Sequence, residues 1–189
     1  MKLKIVSLVF VFALSVFGNN CYAKEYSAAP PDKKAPALAE RFPSIDKKNY
    51  AVEVYKGPFA KDIADKKHLF RTRAREALKN AREKGRGNFA GHYVFFEYGC
   101  GTGCVSSNVV DVKTGKIFDG IGVGGYPVDE TWVVWEFDYK PDSTLIYVQG
   151  SVNSGDDDEI TGSGSFVFEF KDGKFKLLQH SPVVKAEEE

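Results

Sequence analysis

The sequence predicts a mainly β, α+β fold: one N-terminal helix, then an antiparallel meander of about seven to eight short strands forming a curved sheet, sandwich or incomplete barrel. Three observations carry this expectation. Phe (15), Tyr (9) and Gly (18) are abundant, which suits pleated surfaces joined by tight turns. A convincing helical period occurs in one stretch, Lys66 to Lys84. Everything after Asn88 reads as short apolar runs separated by turn residues.

The elements follow in chain order. Residues 24–49 are rich in Ala, Pro and Lys, and Pro30, Pro31, Pro36 and Pro43 oppose regular pairing. They read as an arm with little to bury, with a weak helical turn around Pro36 to Arg41. Tyr50 to Tyr55 alternates and stops at Gly57-Pro58, so a short strand is expected. In the helical stretch, Leu69, Phe70, Ala74, Ala77, Leu78 and Ala81 recur at three- and four-residue spacing, and Gly85 ends it. The basic residues between them read as a solvated face, or as a dock for an acidic partner or anionic surface. Strands are expected at Tyr93–Tyr98, Ser107–Val112, Ile117–Phe118, Thr131–Tyr139, Thr144–Val152, Ser165–Phe170 and Lys174–Leu178. The Asp172-Gly173 pair is a strong hairpin signal.

The first 23 residues read as an address. Lys2 and Lys4 precede the apolar run Ile5 to Phe17, and Cys21 and Ala23 are small. This is the pattern of a secretory signal peptide, with cleavage expected after Ala23. The organisation is thus a signal peptide at 1–23, an arm at 24–49, one β-rich domain at 50–181 and a charged tail at 182–189. The chain carries 26 basic and 26 acidic residues. That balance excludes the basic footprint of a nucleic-acid binder. No later apolar run is long enough for a membrane span, so no membrane insertion is expected after cleavage.

Cleavage would leave Cys100 and Cys104, an even pair that favours a disulfide in an exported protein. The glycines between them admit a tight loop, and the chain-entropy model gives such a closure about 2 kcal/mol. The bridge is therefore expected to shape a loop more than to hold the fold. Redox catalysis and a zinc site with His92 or His180 are the alternatives. The C-x-x-x-C spacing between strands departs from the C-x-x-C at a helix start that lowers a thiol pKa.

Asn88-Phe89-Ala90-Gly91-His92-Tyr93, then Tyr98-Gly99-Cys100-Gly101-Thr102-Gly103-Cys104, then Asp111-Val112-Lys113-Thr114-Gly115-Lys116 resembles a family of exported bacterial proteins of unknown function. The resemblance spans about residues 67–178, and Tyr98 stands where members commonly carry Trp. It implies an envelope protein with a small β-rich domain and brings no reaction with it.

The candidate binding residues are His92, Tyr98 and Thr102 around the cysteine block, Trp132 and Trp135, and the acidic loop residues Asp156, Asp157 and Asp158. His92 is the histidine closest in sequence to the cysteines, and Ser106 and Ser107 could approach it. Alternation places Trp135, Phe137 and Tyr139 on one strand face and Trp132, Val134 and Glu136 on the other. Packing on both sides is the simpler reading, and one exposed face that binds a ligand or protein is the alternative. The acidic loop offers oxygen ligands to Ca²⁺ but lacks EF-hand spacing, so a solvated turn is the simpler reading. The glycine-rich stretch Gly120 to Gly125 lacks the Lys-Ser/Thr and helix of a phosphate loop. It reads as a flexible connection or bulged strand.

The expectation is a periplasmic or secreted protein that binds a protein partner in the envelope, one version being an inhibitor or immunity protein. It needs no cofactor. The rivals are an envelope enzyme using His92 near Cys100 and Cys104, and a Ca²⁺-dependent structural module. Intact mass of the exported protein should begin at Lys24 and gain two hydrogens on reduction. A lipidated Cys21, or a mass unchanged by reductant, would refute cleavage after Ala23 and the pairing respectively.

Overall fold

The structure is a computed structural model that describes residues 37–128, 131–153 and 161–183. The expected signal peptide, the arm up to residue 36, the acidic loop with Asp156, Asp157 and Asp158, and the tail from residue 184 lie outside the described residues.

Ten antiparallel strands and one α-helix form the described fold. They are α1 (Arg71–Lys84), β1 (Tyr93–Gly101), β2 (Cys104–Asp111), β3 (Ile117–Asp119), β4 (Val123–Gly124), β5 (Tyr126–Val128), β6 (Thr131–Val133), β7 (Glu136–Tyr139), β8 (Leu145–Asn153), β9 (Thr161–Lys171) and β10 (Lys174–Pro182). Eight of the strands make one sheet in the order β1-β2-β4-β8-β9-β10, with β3 beside β2 and β7 beside β8. β5 and β6 pair separately. The sheet is curved and open, not closed into a barrel.

The alternation that predicts these strands also builds the main core. On β9, Phe166, Phe168 and Phe170 face inward and are at most 2% exposed. They meet Ile146, Val148 and Val152 of β8, Val105 and Val109 of β2 and Phe95 of β1. Burying one such side chain is worth about 1.5–3 kcal/mol, so this face dominates the stability. The β9–β10 turn is the two-residue Asp172-Gly173 link, with φ of 52° and 80°. Positive φ at both positions is the geometry that matches strand twist.

α1 covers the outer face of β1 and β2. Ala74, Leu78 and Ala81 pack with Val94, Val110, Val112, Ile63 and Ile117 in a second core. Gly85 ends the helix at φ 68°, its N–H donating to the carbonyls of Ala81 and Arg82. The helix starts at Arg71, five residues later than the periodicity suggests. Lys67 N–H donates to Asp65 Oδ1 and Phe70 N–H to His68 Nδ1. These local side-chain acceptors give the backbone a turn in place of the first helical turn.

Two expectations about the N-terminal half are corrected. From residue 37 onward the supposed arm belongs to the domain. A 3-10 turn over Leu38–Arg41, where a weak helical turn was expected, helps bury Leu38 and Phe42 against Leu145, Tyr147 and Val167. Arg41 Nη1 donates to Gln149 Oε1 at 2.6 Å and Ser165 Oγ at 3.0 Å, bridging β8 and β9. Proline density prevented pairing there but not burial. Tyr50 to Tyr55, conversely, is not a strand. Val52 N–H donates to Asp142 and Tyr55 N–H to Gly91, so its bonds go to two different segments and no ladder forms.

The expected long strand Thr131 to Tyr139 breaks at Val134-Trp135 into β6 and β7. The glycine-rich stretch supplies β4, a two-residue strand wedged between β2 and β8. A side chain at Gly120 would collide with the Ser107 backbone, which accounts for the glycine at that position.

Phe42→Ala should cost about 3–5 kcal/mol in urea unfolding, whereas Leu69→Ala, at an 86% exposed site, should stay within about 0.5 kcal/mol. Equal effects would refute the docking of the N-terminal segment.

Candidate functional site

The β1–β2 hairpin carries Tyr98, Cys100, Thr102 and Cys104, with His92 just before it, and its register separates the histidine from the cysteines. Tyr93 pairs with Asp111 at one end and Gly101 with Cys104 at the other. His92 and Cys100 therefore stand roughly 27 Å apart along an extended strand. An enzyme site built from His92 and the cysteine loop is not formed, because strand extension carries one away from the other.

At the His92 end, the imidazole Nε2 lies 3.9 Å from Asp111 Oδ1. Asp111 is already committed: it accepts from the Lys113 N–H at 2.8 Å and from Thr114 Oγ1 at 2.7 Å, closing the turn into β3. Glu53, Val54, Tyr55, Lys56 and Lys113 surround His92 in an open cleft of about 350 Å³. Burial and then the Lys113 charge push the histidine pKa down, against a smaller opposite pull from Asp111. Neither serine reaches it. Ser107 is buried on the inner face, where its Oγ donates to the Ile121 carbonyl and accepts the Ile121 N–H. Ser106 lies opposite Tyr98, well along the strand.

Tyr98 belongs to the helix-facing side. Its hydroxyl donates to Asn108 Oδ1 at 2.6 Å, its ring lies 4.3 Å from Phe70, and the Arg73 guanidinium sits 5.5 Å from the ring centre. Desolvation is the main cause that pushes its phenol pKa up. These contacts dock the start of α1 onto the sheet.

At the other end, the sulfurs of Cys100 and Cys104 are 2.09 Å apart, at disulfide distance, and bracket the turn Thr102-Gly103. Gly103 has φ 77°, open to glycine at little cost. Gly125 N–H donates to the Gly103 carbonyl, and Cys104 pairs with Gly124 of β4. The Trp132 indole lies across Gly125, so close that a side chain there would strike the indole nitrogen. Trp132 is 45% exposed and Val134 is 63% exposed. Trp135 instead packs against the main core, close to Gly150. The two tryptophans part because the chain breaks between β6 and β7, which join different sheets: Trp135 packs on the core and Trp132 is half-exposed beside the cysteine loop, where packing on both faces was the simpler expectation.

The structure brings together Cys100, Thr102, Cys104 and Trp132, and leaves His92 remote from them. Sequence reasoning missed Gly125 and Val134. The signal for Gly125 was a glycine pair before a strand, legible only once its neighbour across the sheet is known. Among the described residues, no group of three or more His, Cys, Asp or Glu is placed to hold a metal ion.

Comparison with known proteins found no matching family model, curated protein or solved structure.

Two outcomes follow. Gly125→Ala should displace Trp132, shifting its fluorescence and costing about 1–3 kcal/mol; an unshifted spectrum would refute the packing. His92 should titrate below its ordinary value of about 6.5. Because the folded pKa is lowered, its contribution is complete above the unfolded value and is lost as pH falls through the folded one. A proton-NMR midpoint at or above 6.5 would refute this assignment.

Proposed function

We propose that this chain is an exported bacterial binding protein, working in the periplasm or outside the cell without catalytic turnover. The observation that carries the reading is Trp132, half-exposed beside the disulfide-closed Thr102-Gly103 turn with Val134 exposed two residues on. Tryptophan is a favoured anchor of protein interfaces because it buries a large area with few rotatable bonds. A turn closed by a disulfide has little freedom left to lose on association, so more of the contact energy survives as affinity. The cysteine pair suits an oxidising compartment, and the leader pattern at 1–23 supports export. No helix among the described residues is long and apolar enough to cross a membrane.

The partner in this reading is a protein of the envelope, with inhibition of an envelope enzyme, or immunity to one, as the concrete form. The turn would then act as the inserted element and Trp132 as its flanking anchor.

A photo-crosslinking amino acid at position 134, expressed in cells with the leader intact, tests the reading. A discrete adduct in the envelope fraction is expected. Trp132→Ala should weaken the interaction by about 2 kcal/mol or more, roughly 30-fold. Paired Cys100→Ser and Cys104→Ser substitutions should weaken it less. No adduct, or one indifferent to Trp132→Ala, would count decisively against it.

A further inference from the structure

We propose that the free edge of β1 at Glu97 and Gly99 receives an extended strand from a protein partner, added to the sheet through backbone hydrogen bonds. This rests on the reading of the chain as a binding protein and supplies the kind of partner.

The hydrogen-bond pattern shows which way each residue of β1 faces. Val112 N–H donates to the His92 carbonyl at 3.0 Å, so even-numbered positions address β2. Odd-numbered positions address the outer edge, and the chain itself fills the first two. Tyr93 N–H donates to the Phe89 carbonyl, and the Phe89 N–H donates back to Tyr93. At Phe95 the side chain of Asn88 imitates a strand: Oδ1 accepts the Phe95 N–H at 2.8 Å and Nδ2 donates to its carbonyl at 2.9 Å.

The imitation stops there. Strand alternation aims the N–H and C=O of Glu97 and Gly99 at the same edge. Among the described residues nothing pairs with them, both residues are exposed, and the space a Gly99 side chain would fill is open. An exposed edge of this kind is a template for strand addition.

The flanks specify the incoming strand. On one side of the edge the Glu97 carboxylate calls for a basic residue. On the other, the Tyr98 ring lies tilted against Phe70, next to the 86% exposed Leu69, and favours an apolar one. A second copy of this chain would bring two Glu97 carboxylates to one edge, so charge favours a different protein with alternating basic and apolar residues.

Selection of displayed random dodecapeptides on the folded protein tests this. Enriched peptides should alternate basic and apolar residues and protect the Glu97 and Gly99 amides from hydrogen exchange by about tenfold or more. N-methylation of alternate peptide bonds, which leaves the protein untouched, should abolish binding. Gly99→Pro removes an outward N–H at an edge that tolerates proline and should do the same. Glu97→Lys should cut affinity for basic peptides by about tenfold or more. The inference is overturned by peptides insensitive to N-methylation, by no enrichment, or by amide protection that rises with protein concentration alone. Peptides lost on Trp132→Ala but kept on Gly99→Pro would overturn the edge and leave the binding reading standing.

Discussion

The aromatic contact between the first and the last part of the sheet sets the shape of this molecule. Phe95 of β1 lies 6.4 Å from Phe175 of β10, Tyr93 lies 4.9 Å from Phe170, and Phe89 packs on both Phe170 and Phe175. Apolar rings from strands far apart in the sheet order meet on one side, so the sheet must curl around them. Aromatic pairs such as the edge-to-face contacts Tyr93–Phe170 and Phe95–Phe175 add about 0.5–1.5 kcal/mol each beyond area burial. The curl gathers β1 and the β9–β10 hairpin at the His92 end. At the far end of β1, Glu97, Gly99, Cys100 and Gly101 are exposed. The proposed binding features lie where the aromatic cluster does not reach.

Phe89 reaches the cluster through a tight reversal. Ala90 and Gly91 both have positive φ, 43° and 81°, and a side chain at Gly91 would come within 2.8 Å of the Glu53 carbonyl oxygen. That reversal sends Phe89 into the core and leaves Asn88 alongside Phe95, where its amide occupies the strand edge. One short segment therefore fixes the core aromatic, the position of His92 and the point at which the edge becomes free.

Much of this was legible in the sequence where local rules and tertiary packing agree. The β9–β10 hairpin followed from Asp172-Gly173 between alternating runs, and the helix end from Gly85. Reading failed where partners distant in sequence decide the outcome. Leu38 and Phe42 looked unsupported among prolines because their neighbours, Leu145, Tyr147 and Val167, lie more than a hundred residues away. Tyr50 to Tyr55 has strand-like alternation, but a ladder needs a continuous neighbour and it has two partial ones. His92 and the cysteines are close in sequence, and only strand extension shows that this keeps them apart. The edge at Glu97 and Gly99 has no residue signature, since it is a property of backbone groups.

The docking of the N-terminal segment has a consequence for the order of folding. Arg41 bonds to Ser165, and Ser44 Oγ to Gln179 Oε1, across 124 and 135 residues of sequence. Contacts of such separation carry a large loop-closure cost and slow a folding reaction. A chain emerging from a ribosome amino-terminus first cannot complete the cluster around Leu38 and Phe42 until the final hairpin has followed. Until then Leu38 and Phe42 stay uncovered, so the last residues to appear are the ones that let the first take their place.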